Sequence, residues 1–124
     1  MIVVDKPKYK MAIYEAKKEL HVQVIGFLRS NNVEEYLTDL HETVEKVHKT
    51  AYTFVVDATY QSPSPSSISG ELGPTLMFYA TLGFKDVFIV NPISKIAYVQ
   101  VRNALETVDF PGTVVDNVSQ IAMR

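Results

Sequence analysis

The sequence predicts an α/β protein on a mixed β-sheet of about five strands, and three observations predict it. Two strand-like segments near the N-terminus are separated by only a short polar stretch. Two later segments, 52–57 and 85–91, are unbroken β-branched and aromatic runs. Other segments switch to an apolar period of three and four residues. Together these give the order β-β-α-β-α-β-α-β, an N-terminal antiparallel hairpin followed by helix and strand in alternation.

Residues 9 to 14 alternate imperfectly, while 20 to 28 place Val22, Val24 and Gly26 on one side and His21, Gln23, Ile25 and Phe27 on the other. Only Glu15 to Glu19 lies between them, too short for a crossover helix, so the pair is expected to be a hairpin. From 32 to 49, Val33, Tyr36, Leu37, Leu40, Val44 and Val47 line one helical face. Asn32 suits the cap of that helix, Glu34 and Glu35 its positive end, and Lys46, His48 and Lys49 its negative end. Tyr52 to Asp57 and Lys85 to Asn91 lack polar alternation, as strands covered on both faces do. They predict a parallel central sheet with helices on both sides.

Between these two strands, Gln61 to Ser67 is a Pro/Ser cluster that suits neither helix nor central strand. Leu72, Leu76, Tyr79 and Ala80 then share a helical face, and Gly83 stops it. Two starts fit this second helix: near Ser69, or at Gly73 with Pro74 in the first turn. A third helix runs from Ser94, its cap, to Val108, with Ala97, Val101, Ala104, Leu105 and Val108 inward. Pro111 and Gly112 break it, Thr113 to Val115 give a last short strand, and only a helical stub fits beyond.

The 124 residues fit a single domain, 1–124, and at 47% hydrophobic and 21% charged they are composed for a packed core. The net charge of −2 supplies no field to hold nucleic acid or an anionic membrane, so neither is expected as a partner. With no Cys, thiolate metal sites, disulfides and cysteine nucleophiles are excluded. No apolar run reaches the ~20 residues of a membrane span, and Asp5, Lys6, Pro7 and Lys8 interrupt any signal-like stretch. A cytoplasmic location is the expectation.

In open α/β sheets, sites gather beyond the C-terminal ends of the parallel strands. That rule brings together Arg29, Asn31, Asp57, Tyr60, Ser94 and the serine cluster. His41, Glu45 and His48 share a helical face, but one crowded by Glu42 and Lys49, and it is read as a solvated, charge-paired surface rather than a metal site. Asp57 ends a buried strand without the acidic pair a receiver domain would need, and is expected to accept N–H bonds from the following loop. No dinucleotide, P-loop or nucleophile-elbow motif occurs, and no carboxylates are spaced for acid/base work, so no catalytic residue and no cofactor are assigned.

One stretch carries a family signal. After the strand Tyr52 to Asp57 comes Ser67-Ile68-Ser69-Gly70, leading through Glu71, Leu72 and Gly73 into a helix, and Tyr79 to Asn91 passes through a Leu-Gly turn into a strand. In these residues, and in architecture over about 9 to 117, the chain resembles a STAS-type domain, the fold of bacterial anti-sigma-factor antagonists and of the cytosolic ends of sulfate transporters. The antagonists carry Asp-Ser-Ser-Gly or Asp-Ser-Thr-Gly here, and a partner kinase phosphorylates the second hydroxyl. Ser69 falls on that position, with Ser67 in place of the Asp and Ile68 in place of the first hydroxyl residue. The resemblance implies a non-catalytic regulatory module with a protein partner, switched at Ser69 and working through Tyr60 to Leu72. An alternative is a small apolar or lipid-like ligand held by the aromatic second helix (Met77, Phe78, Tyr79) beneath the Pro/Ser loop; the same surplus also suits a homodimer surface.

Overall fold

Period-two alternation in the first hairpin sorts its side chains cleanly between two faces. Tyr9, Met11 and Ile13 of β2 (Tyr9–Tyr14) and Leu20, Val22 and Val24 of β3 (Glu19–Val24) are all buried on one side. The computed structural model describes residues 1–26, 30–63 and 72–122. Within it the remaining elements are β1 (Ile2–Asp5), α1 (Ser30–Val44), β4 (Thr53–Asp57), α2 (Leu72–Ala80), β5 (Asp86–Val90), α3 (Lys95–Thr107), β6 (Thr113–Val115) and a short α4 (Ser119–Ala122). The six strands form one mixed sheet in the order β1-β2-β3-β4-β5-β6. β1, β2 and β3 pair antiparallel, and β3, β4, β5 and β6 pair parallel. No helix among the described residues is long and apolar enough to cross a membrane.

The main core lies between one face of this sheet and three helices. Leu40 and Val44 of α1, Leu76 and Tyr79 of α2, and Val101 and Ala104 of α3 join Met11, Val22, Phe54, Val56, Val87 and Ile89 in a single cluster. The rings of Phe54 and Phe84 stack at 4.8 Å between centroids. Inside this layer the Tyr36 and Tyr79 hydroxyls share a hydrogen bond of 2.6 Å between α1 and α2, so two buried polar atoms satisfy each other. Burial pushes the Tyr79 phenol up, and burial together with the neighbouring Tyr79 does the same to Tyr36.

Helices lie on both sides of the sheet as expected, but very unequally. α1, α2 and α3 all cover the same face, and the far side is covered by the tail: Ile121 of α4 packs on Val55, Phe88 and Val90, with Val115 beside them. β4 and β5 read as doubly buried because both layers meet them. Sequence pattern records that a strand is covered, not by which segment.

Several boundaries also move. β1 adds a strand outside the expected hairpin, and its register shifts between Ile2 and Val4, so Val3 breaks the alternation that would have revealed it. β3 ends at Val24, short of Leu28, and Gly26 at φ 71 turns the chain where a strand would have continued. α1 includes Asn32 rather than being capped by it and ends at Val44, not Lys49. After it, Lys46 N–H donates to Thr43 O and Val47 N–H to Val44 O, tightening the last turn before a 3₁₀ turn at Lys49–Ala51 delivers the chain to β4. Pro74 lies in the first turn of α2, and Gly83 at φ 93 follows its end as expected. Ser94 caps α3, its hydroxyl oxygen accepting from Ala97 N–H at 3.3 Å.

Candidate functional site at the C-terminal rim

The parallel strands all end at one edge of the sheet, and the turns that follow are tied to one another. Gly26, two residues past β3, donates to Tyr60 O at 2.9 Å and accepts from Ser62 N–H at 2.8 Å. This is a parallel bridge between Gly26 and Gln61. Asp57 closes β4: its Oδ1 accepts from Thr59 N–H at 3.0 Å and also from the Thr59 hydroxyl, and its Oδ2 accepts from Gln23 Nε2 at 3.4 Å. The expected role of Asp57 as an acceptor for the following loop is what the geometry gives. With both carboxylate oxygens occupied, it is an anchor.

The β5 end is stitched in the same way. Ala58 N–H donates to Val90 O, Ile93 N–H to Thr59 O at 3.2 Å, and Asn91 N–H to Val115 O at 2.8 Å. Asn91 Nδ2 reaches Asp116 Oδ1 at 3.0 Å. The turns after β3, β4, β5 and β6 thus form one bonded rim. Two large apolar side chains stand out of it: Tyr60 is 58% exposed and Ile93 is 73% exposed. Their backbones are held by hydrogen bonds while their side chains meet water.

The expected site residues divide accordingly. Asp57, Tyr60 and Ser94 come together at this rim, with Ser94 engaged as the cap of α3. Asn31 falls in the first turn of α1. Arg29, Ser67, Ser69 and Gly70 lie outside the described residues. Sequence reasoning missed Ile93, Gln23 and Gly26. Ile93 carried a signal, an isoleucine in the turn between a buried strand and a helix cap, where nothing in the core calls for one. The pairing of Gln23 with Asp57 needed the parallel register of β3 and β4.

The other constellations serve structure. His41 lies edge-on to Phe78 at 6.5 Å, and Glu45 and His48 fall beyond the end of α1, so the helical face assumed for the three does not extend through them. Among the described residues no three His, Asp or Glu side chains are grouped to hold a metal ion. A hollow of about 310 Å³ lined by Val44, Glu45, Val47, His48, Lys49 and Thr50 opens at the opposite end of the sheet from the rim. At the start of β2, Lys6 Nζ bridges Glu35 at 2.5 Å and Asp39 at 2.6 Å, and the Tyr9 hydroxyl donates to Asp39 Oδ2 at 2.6 Å. Hydrogen bonds from Lys6 and then Tyr9 hold the Asp39 carboxyl below its ordinary range. Burial, reinforced by Asp39, pushes the Tyr9 phenol up to about 12. This network latches the β1–β2 hairpin to α1.

Compared with models of known protein families the chain matches none, and a comparison with curated proteins finds no match.

Proposed function

We propose that this chain is a non-catalytic regulatory module of the STAS type, acting in the cytoplasm by binding a protein partner at the C-terminal rim. The observation that carries the reading is the exposure of Tyr60 and Ile93 on turns whose backbones are fixed by hydrogen bonds to Gly26 and Thr59. Ordering costs are met before the partner arrives, so the apolar contact is available for affinity. Ser69 precedes α2 in the segment that joins this rim to the helix layer, and it is the proposed switch. A phosphoryl group there would add about −1.5 to −2 charges and change which state binds.

The small-ligand reading has less to draw on, because the aromatic residues of α2 are engaged elsewhere. Tyr79 is buried against Phe54 and Tyr36, and Phe78 is half-buried against His41. The test is quantitative affinity capture from the native lysate with wild type, Tyr60→Ser/Ile93→Ser, Ser69→Ala and Ser69→Glu. The expected result is a partner retained by wild type, lost from the rim double variant, and bound differently by the two Ser69 variants. Identical partner sets for all four proteins would overturn the proposal, and a co-purifying small molecule in native mass spectra would transfer support to the ligand reading.

A further inference from the structure

α3 carries its charges the wrong way round for a helix on its own. Its only charged residues are Lys95, Arg102 and Glu106. Lys95 occupies the first turn, at the positive end of the helix dipole, and Glu106 the last turn, at the negative end. Neither belongs to an ion pair among the described residues. The buried face of the helix is Ala97, Val101 and Ala104, and Lys95, Val99, Arg102 and Glu106 are all exposed. Their spacing of four, three and four residues makes them one straight outer ridge. Val99 at its middle is 43% exposed, and Ile96 and Tyr98 beside it are 66% and 38% exposed.

That ridge is complementary to itself. When two copies of α3 lie antiparallel about a dyad level with Gln100 and Val101, Lys95 of each faces Glu106 of the other, and Val99 of each faces the aliphatic stem of the other's Arg102. Both misplaced charges then gain an opposite charge, twice over by symmetry, and the helix dipoles run antiparallel. We infer that the outer ridge of α3 is an isologous homodimer interface, with a second copy of this chain as its occupant. The inference is independent of the proposed function, whose surface rests on Tyr60 and Ile93. A helix of 13 residues is about 20 Å long and covers less than the roughly 800 Å² per partner of a stable interface. The dimer is accordingly weak, forming at micromolar to millimolar protein and loosening with salt.

Sedimentation equilibrium across that concentration range at low salt provides the test. Lys95→Glu and Glu106→Lys each place like charges in register and are expected to weaken self-association about tenfold or more. Both substitutions match the helix dipole better than the native residues, so each variant keeps its fold, which circular dichroism verifies. Mixing the two single variants recovers association as a heterodimer, because every facing pair is again opposite in sign, and the double variant Lys95→Glu/Glu106→Lys recovers it alone. A wild-type protein that stays monomeric throughout overturns the inference. So does a dimer indifferent to the single changes, or one that mixing fails to restore.

Discussion

The two faces of the sheet solve the same problem with different materials. Facing the helices, β2 to β5 contribute Met11, Leu20, Val22, Phe54 and Ile89, each at most 1% exposed, and the buried Tyr36 and Tyr79 hydroxyls of that layer pair with one another. On the other face the rows read Tyr14, Glu19 and Thr53, then Ala12, His21, Val55 and Phe88, then Lys10, Gln23, Asp57 and Val90. The buried apolar cluster of that face lies on its β4 to β6 side, under Ile121. Toward β2 the face is built from polar contacts: His21 Nε2 lies 2.9 Å from Glu19 Oε1 and its ring sits edge-on to Tyr14 at 4.9 Å. One face carries the stability, and the other carries half-buried polarity on the same backbone.

The largest expected difference between them comes from cavities. Phe54→Ala should cost about 3–5 kcal/mol and Ile121→Ala, at the margin of a small cluster, about 2 kcal/mol, measured by urea denaturation. The reverse order would break the comparison. Polar pairs should rank the same way. Tyr36→Phe leaves the Tyr79 hydroxyl buried without its partner and should cost about 1–3 kcal/mol, with the double variant Tyr36→Phe/Tyr79→Phe costing less than the two singles combined. Across the sheet, His21→Gln should cost under about 1 kcal/mol, because the Gln amide can still donate to the buried Glu19 carboxylate.

A smaller effect concerns pH. The Asp39 carboxyl is held low in the folded protein, so its contribution is complete above the ordinary carboxylate range and is lost as pH falls through the lowered value. Asp39→Asn should therefore flatten the acid limb of a stability-against-pH curve, and an unchanged limb would remove the latch from the helix-side account. Tyr9 works in the opposite direction: its contribution is complete below its ordinary value of 10.0 and fades as pH rises through about 12. Tyrosinate absorbance during an alkaline titration checks this.

Local rules were enough for β2, for α3 with its Ser94 cap, for the Gly83 stop and for the anchoring role of Asp57, because each depends on residues close in sequence. What sequence did not yield depends on partners far along the chain. β1 has four residues and a shifted register, so alternation has nothing to act on. α1 stops at Val44 with no Gly or Pro to announce it, because the chain must turn back to reach Thr53, whose N–H donates to Lys18 O. The burial of Val55, Phe88 and Val90 under the tail rests on a four-residue helix that a periodicity argument dismisses as a stub. At the rim, Asp57 and Tyr60 were legible, while Gln23 and Ile93 required the register between strands.

The unbroken spatial order of the strands has a bearing on how the molecule is made. Each new strand docks on the one synthesised immediately before it, so no strand waits for a later segment to be inserted between itself and its neighbour. A chain emerging from the ribosome can extend its sheet at a single growing edge, hairpin first, and each crossover helix closes over strands already in place. The segment Ser119–Ala122, made after all six strands, then seals Val55, Phe88 and Val90.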